Sequence, residues 1–144
     1  MSAPVTKNIG DSIFNVTVVI PCHNHGSFLE RSVDSVISQD YENTRVVIVN
    51  DGSSDNSAEV ALSLSKKHPN IELLSNEHPT GPSAARNLAI KHAWDTTDFF
   101  IMLDADDTYL PGKISKSVEI ISTDVQNIGV VYSDSLIENM SSNS

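Results

Sequence analysis

Three carboxylates fall within four residues, at Asp104, Asp106 and Asp107, directly after the most apolar run of the sequence, residues 99–103. Carboxylates this close repel one another, and without a partner at least one would be driven toward protonation. A divalent cation removes that repulsion, and the hard cations Mg²⁺ and Mn²⁺ prefer oxygen ligands, with phosphate groups completing the shell. We therefore interpret the cluster as a site for Mn²⁺ or Mg²⁺ bound by Asp104 and Asp106, in preference to a plain acidic loop.

Three other polar segments could supply the rest of a binding site. Residues 21–26 (PCHNHG) and 50–55 (NDGSSD) each follow a β-branched apolar run, and residues 81–87 (GPSAARN) open an alanine-rich stretch. Each segment also has an ordinary explanation, since Asp-Gly sequences are common turns and a histidine or arginine is often only a surface residue. Their shared position next to apolar runs favours one common cleft.

Short apolar runs alternate with helix-like periodicity along the chain. Runs rich in valine and isoleucine predict strands, and apolar residues spaced three and four apart predict helices. The predicted strands are residues 16–20, 45–49, 71–74, 99–103 and 128–132, and the predicted helices are about 27–38, 56–68, 83–94 and 114–121. Asn56 and Glu59 predict a capping box, and we expect Leu88 on the inner face of its helix.

Strands that alternate with helices form βαβ units with right-handed crossovers and a parallel sheet. We therefore expect an α/β protein with a Rossmann-like, mostly parallel sheet and helices on both faces. In such sheets, ligands bind beyond the carboxyl ends of the strands, where the strand order reverses. That rule would bring the four polar segments around one cleft.

Length and composition favour a single acidic domain. The 144 residues predict one domain over 16–138, with a leader at 1–15 and a flexible tail at 139–144. The formal net charge of −10, without a basic stripe, argues against nucleic-acid binding. No apolar run is long enough for a membrane span, no signal peptide is visible, and Cys22 is the only cysteine. We therefore expect a cytoplasmic protein without an intrachain disulfide.

The ordered segments resemble family 2 glycosyltransferases of the A-type fold. The resemblance runs over roughly residues 16–134 and rests on five segments in the family's order: VVIP at 18–21 followed by Asn24, VNDGSSD at 49–55, GPSAARN at 81–87, LDADD at 103–107 and VVYSD at 130–134. It implies binding of a nucleoside diphosphate sugar donor. The residues it places at that donor are Pro21, His23, Asn24, Asp51, Arg86, Asp104, Ala105 and Asp106.

The resemblance also implies individual roles. Pro21 and its neighbours would line the nucleobase pocket, and Asp51 would hydrogen-bond the base, which is usually uracil in this family. Arg86 would lie near the diphosphate or the sugar. Asp104 would contact the ribose or the metal, and Asp106 would bind the metal. His23 stands where the family often has an aromatic Tyr or Phe.

The family inverts the configuration of the transferred sugar, so the resemblance implies direct transfer from the donor to an acceptor hydroxyl. The acceptor, whether glycan, lipid or protein, is not evident from these residues. The acceptor-side segment that carries the family's catalytic base has no counterpart before Ser144, so we expect a truncated form of the fold. This leaves a non-catalytic nucleotide-sugar-binding fragment as an alternative, and an exposed apolar sheet edge would favour a homo-oligomer.

A second alternative comes from the same acidic motif. Residues 103–108 (LDADDT) also resemble the first motif of haloacid-dehalogenase-like phosphatases, with Asp104 as nucleophile, Asp106 as general acid and Mg²⁺ as cofactor. That motif normally opens its domain, whereas three βα units precede it here. A Rossmann dehydrogenase is disfavoured because no G-x-G-x-x-G follows the first strand.

Overall fold

Four parallel strands, in the order β3-β2-β1-β4, form the sheet of the computed structural model, which describes residues 13–137. The strands are β1 (Val16–Cys22), β2 (Thr44–Asp51), β3 (Ile71–Asn76) and β4 (Phe99–Met102). The helices are α1 (Gly26–Ile37), α2 (Ser57–Lys67), α3 (Pro82–Ala93) and α4 (Lys113–Ser122), with a 3₁₀ turn at Trp94–Thr96. This architecture confirms the predicted α/β class and the parallel sheet.

Both faces of the sheet are covered, which explains why β1 and β2 read as continuous apolar runs rather than alternating ones. On one face, Val18 and Ile48 pack in a core with Val33 of α1, Leu64 of α2 and Ile114 of α4. On the other face, Val19, Val47 and Val49 pack against α3. The prediction of helices on both faces is therefore confirmed.

The inner face of α3 is made of alanines, not of Leu88. Ala85, Ala89 and Ala93 are fully buried against the sheet, whereas Leu88 is 37% exposed, so its predicted inward position is wrong. The spacing of four residues places the three alanines in one stripe, and their small side chains let the helix backbone approach the strands closely. Hydrophobicity alone predicts that leucine faces the sheet. In the structure the alanines occupy the tightly packed positions between helix and sheet.

The strand order reverses beside β1. The chain runs outward from β1 to β2 and β3, and then α3 carries it back across the sheet to β4 on the other side of β1. Val16 of β1 pairs in register with both Thr44 of β2 and Phe99 of β4. The loops that leave β1 and β4 therefore diverge at this edge and open a crevice between them.

The start of α2 differs from the predicted capping box. Asn56 occupies the N-cap position, but its side chain makes no capping hydrogen bond. Instead, the Ser57 amide donates to Asp55 Oδ1 at 2.9 Å, and the Gly26 amide donates to Asp55 Oδ2 at 3.0 Å. One carboxylate thus holds the first turns of two helices, a tertiary arrangement that local spacing could not reveal.

The predicted fifth strand at residues 128–132 is also wrong. No strand follows β4 within the described residues, and Val130 and Tyr132 are 80% and 92% exposed. A β-branched run satisfies the local preference for a strand, but a strand also needs a neighbouring backbone to accept its hydrogen bonds.

Residues 1–12 of the predicted leader, residue 138 of the predicted domain and the whole predicted tail at 139–144 lie outside the described residues, so these boundaries stay predictions. Within residues 13–137, none of the helices has the length and apolar character that crossing a bilayer requires.

The packing of α3 gives a stability prediction. Ala89→Leu should lower the free energy of unfolding by about 1–3 kcal/mol because the side chain has no space to enter. Leu88→Ala should cost less than about 1 kcal/mol, since that side chain is partly in solvent. Alanine and leucine have similar helix propensities. Urea denaturation of the two variants therefore compares the packing at the two positions. Equal losses would contradict the assignment of the inner face.

Candidate functional site

A cleft of about 420 Å³ opens where the segments after β1, β2 and β4 meet the start of α3. It lies at the carboxyl ends of the strands, beside the reversal of strand order. Seven of the eight residues predicted at the donor line it: Pro21, His23, Asp51, Arg86, Asp104, Ala105 and Asp106. Residues that are distant in sequence thus share one concave surface.

Asn24 is the predicted donor residue that does not line the cleft. Its backbone adopts a left-handed conformation with φ of 55°, and its side-chain Oδ1 accepts hydrogen bonds from the amides of Ser54 at 2.8 Å and Asp55 at 3.3 Å. The side chain therefore ties the loop after β1 to the loop after β2. It links two segments that border the cleft, and a direct contact with a ligand stays a prediction.

His25 lines the cleft although sequence reasoning did not select it. Its Nε2 lies 3.9 Å from Asp106 Oδ2, and its ring meets Phe28 edge to face at a centroid distance of 6.2 Å. Its position in the same loop as His23 was the available signal. A local pattern could not show which of the two imidazoles faces the acidic cluster.

Arg86 and Asp104 form the main ion pair of the cleft. Arg86 Nη2 donates to Asp104 Oδ1 at 2.7 Å, joining the first turns of α3 to the segment after β4. Within the described chain, Arg86 Nε is buried without a hydrogen-bond partner. The Arg86 side chain as a whole is 32% exposed and pairs with Asp104 through Nη2, so other N–H groups of the guanidinium remain for an acceptor that enters the cleft.

The acidic turn is anchored by its neighbours. Ala105 is 1% exposed and packs in the core, so Asp104 and Asp106 on either side of it are held at the surface. The Asp107 amide donates to the Asp104 carbonyl at 3.0 Å and closes the turn. Burial, together with repulsion from Asp106 and Asp104, raises the pKa of the Asp107 carboxyl. The mutual repulsion inferred from the sequence is therefore present in the fold.

The acidic turn places two exposed carboxylates, Asp104 and Asp106, in the lining of the cleft. Among residues 13–137, no group of three or more His, Cys, Asp or Glu side chains is arranged to hold a metal by itself. Mg²⁺-like cations are commonly held by one or two carboxylates together with phosphate oxygens of the ligand. Asp104 and Asp106 supply the number of carboxylates that such a site uses, and a phosphate-bearing ligand would have to complete the shell.

Asp51 is buried at the base of the cleft, only 3% exposed. Its carbonyl oxygen accepts a hydrogen bond from His23 Nδ1 at 2.8 Å, which assigns the proton of that imidazole to Nδ1 because a carbonyl can only accept. Its carboxylate faces the loop of residues 77–81, where the Gly81 amide donates to Oδ2 at 2.8 Å. Asp51 therefore connects the histidine loop to the segment that precedes α3.

Comparison with known proteins identifies the family. The family model described as Glycosyl transferase family 2 matches residues 17–139 and so includes every segment of the cleft. The phosphatase hypothesis, by contrast, rested on residues 103–108 alone. An Escherichia coli enzyme named UDP-Glc:alpha-D-GlcNAc-diphosphoundecaprenol beta-1,3-glucosyltransferase is 32% identical over 88% of this chain, and an uncharacterized glycosyltransferase of Rickettsia felis is 37% identical over 74%.

The fold comparison agrees. A Pyrobaculum calidifontis mannosyltransferase, solved with GDP-Man and Mn²⁺, superposes with a TM-score of 0.70 at 25% identity and covers 76% of this chain. The chain spans 33% of that enzyme, 48% of the E. coli relative and 17% of the R. felis relative. The match extends over sequence and fold, and the chain belongs to glycosyl transferase family 2.

Proposed function

We propose that this chain is the donor-binding part of an inverting glycosyltransferase that binds a UDP-sugar with Mn²⁺ or Mg²⁺. The observation that carries the proposal is the cleft itself, in which Arg86 and the pair Asp104 and Asp106 meet at the reversal of strand order. Family membership supports sugar transfer, and the cleft supplies the groups that a nucleoside diphosphate requires.

A diphosphate matches the charges of the cleft. Arg86 is partly exposed in the cleft, and guanidinium groups suit phosphate because several donors lie in one plane. Two carboxylates alone would repel the same phosphates, so binding at Asp104 and Asp106 calls for a cation between them. The bound metal would offset charge on the departing diphosphate.

The identity of donor and metal draws support from relatives. The E. coli relative is named for UDP-Glc, and the P. calidifontis enzyme was solved with GDP-Man and Mn²⁺. We propose a uridine nucleotide here, with Pro21 and His23 at the base and Arg86 at the diphosphate. Ala105 holds the acidic turn at the ribose and metal end.

In the proposed reaction, an acceptor hydroxyl attacks the anomeric carbon, the bond from that carbon to the diphosphate breaks, and a general base takes the hydroxyl proton. Holding donor and acceptor together removes much of the entropic barrier. We assign the general base to none of the described residues. The described residues therefore support donor binding, and the proposal assigns them no part in the proton transfer.

Metal dependence can be tested by calorimetry. Wild-type protein should bind UDP at least about tenfold more tightly with Mn²⁺ than without it, equivalent to about 1.4 kcal/mol. Asp106→Ala should abolish this enhancement because one of two metal-binding carboxylates is lost. The exposed Asp40, outside the cleft, offers a matched control, and Asp40→Ala should behave as wild type. Equal UDP affinity for wild type and Asp106→Ala, with and without Mn²⁺, would contradict the metal site.

Diphosphate recognition by Arg86 can be tested separately. Arg86→Met should weaken UDP binding by about tenfold or more, because a charge-assisted hydrogen bond contributes roughly 1.5–3 kcal/mol. Binding of uridine, which lacks phosphates, should be unchanged. Lys91→Met, an exposed substitution on the same helix, should leave both affinities unaltered. A parallel loss of uridine affinity in Arg86→Met would instead assign this side chain to the nucleoside.

A further inference from the structure

The acidic turn lies in a segment without helix or strand, residues 103–112, between β4 and α4. Main-chain hydrogen bonds secure its two ends: the Leu103 amide donates to the Val19 carbonyl at 3.0 Å, and the Lys113 amide donates to the Leu110 carbonyl at 3.2 Å. An irregular segment cannot pair its amides and carbonyls in a regular ladder, so these groups need partners from other elements. The partners therefore show what holds the acidic turn in place.

Serine side chains of α1 supply two of these partners. The Tyr109 amide donates to Ser35 Oγ at 3.0 Å, and Ser32 Oγ donates to the Asp104 carbonyl at a longer 3.4 Å. The Ser35 hydroxyl itself donates to the Ser32 carbonyl at 2.6 Å, which leaves its lone pairs for the Tyr109 amide. The segment is thus tied to α1 on both sides of Asp106.

Gln39, just beyond the C-terminus of α1, holds the far end of the segment with both atoms of its amide group. Nε2 donates to the Leu110 carbonyl at 3.0 Å and to the Ser35 carbonyl at 3.1 Å. Oε1 accepts from the Ile114 amide at 3.1 Å, one of the first-turn amides of α4 that have no partner within their own helix. One side chain therefore joins α1, the acidic segment and α4.

Ser32, Ser35 and Gln39 form what we call the polar face of α1, because steps of three and four residues lie on one side of a helical path. The adjacent face of α1 packs in the core through Leu29, Val33 and Val36. Helix α1 is therefore a fixed support, and its polar face transmits that fixed position to the acidic segment.

The position of the acidic segment matters for a cation held by only two carboxylates. Asp104 and Asp106 are exposed and repel one another, so nothing in their own charges brings them to a metal-binding separation. Removing groups that orient metal-binding side chains commonly lowers metal affinity by about 10–100-fold. The lining of the cleft does not include Ser32, Ser35 or Gln39, so any effect of theirs on a ligand is transmitted through the acidic segment.

We propose that the polar face of α1 positions the acidic segment for metal-dependent donor binding, with Gln39 as the principal positioning residue. This inference deepens the proposed function and rests on it for the metal and the nucleotide. A merely structural role would instead stabilise the fold and leave the Mn²⁺ dependence of UDP binding unchanged.

Gln39→Met tests the proposal by calorimetry, because methionine keeps the length of the side chain and removes its hydrogen-bonding amide. The variant should reduce the Mn²⁺-dependent gain in UDP affinity by about tenfold, whereas uridine affinity without metal should be unchanged. Gln126→Met makes the same substitution at an exposed residue outside the cleft and should behave as wild type. A wild-type Mn²⁺ gain in Gln39→Met would overturn the proposal.

Ser35 supplies a second variant and its rescue. Ser35→Ala removes the acceptor of the Tyr109 amide and should lower the Mn²⁺ gain by about threefold or more, whereas Ser35→Thr retains a hydroxyl and should restore the gain. Equal losses in Ser35→Ala and Ser35→Thr would contradict the role of the hydroxyl.

A destabilised variant controls for general loss of stability. Val60 of α2 packs against the core, so Val60→Ala should lower the free energy of unfolding in urea and leave the Mn²⁺ gain intact. A loss of the gain in Val60→Ala as large as that in Gln39→Met would assign the effect to general destabilisation and overturn the proposal.

Amide hydrogen exchange of the ligand-free protein separates this inference from the proposed function. The Asp107 amide donates to the Asp104 carbonyl and not to Gln39, yet it should exchange about tenfold or more faster in Gln39→Met, while β1 amides are unchanged. Unchanged exchange at Asp107 would overturn the positioning role. If Gln39→Met does not fold, Ser35→Ala carries the same measurements. Failure of the wild type to bind UDP with Mn²⁺ would contradict the proposed function, but the exchange result would still decide whether Gln39 holds the acidic turn.

Discussion

The parallel pairing of β1 with β2 on one side and β4 on the other is the constraint on which the site depends. Because β1 is buried on both faces and paired at both edges, its carboxyl end is fixed relative to the segments that follow β2 and β4. Helix α3 must cross the sheet to return the chain to β4, and its buried alanines allow it to lie close to the strands. That crossing also brings Arg86 to the acidic turn, so one packing arrangement creates both the crevice and its ion pair.

The carboxylates at the two ends of the cleft lie in different electrostatic environments. The turn at 104–107 concentrates carboxylates, and burial together with repulsion from Asp106 and Asp104 raises the pKa of Asp107, while Arg86 pairs with Asp104 alone. At the other end, Asp51 accepts hydrogen bonds from the Thr80 and Gly81 amides, and hydrogen bonds of this kind hold its pKa below the usual range despite burial. Aspartates at the two ends of the cleft thus have opposite pKa shifts, because Asp51 accepts several hydrogen bonds whereas Asp107 is partly buried beside two other carboxylates.

Much of the fold could be predicted because it follows from local patterns. The four predicted strands up to residue 103 and the four helices are present, since β-branched runs and apolar spacing encode them directly. The errors fall where tertiary context overrides a local signal. Leu88 lies outside because α3 sits too close to the sheet for a large side chain, Asp55 replaces the Asn56 cap by bridging two helices, and residues 128–132 have strand propensity without a paired edge.

The sequence by itself determined the α/β class, the family and the set of polar segments that border the cleft, because element periodicity and motif order are properties of the chain. Only the tertiary structure decided which groups meet. It turned Asn24 toward the loop after β2, brought His25 to 3.9 Å from Asp106, and directed the Asp51 carboxylate to Thr80 and Gly81. These pairings join residues far apart in sequence, and their geometry follows from the strand order that brings the segments together.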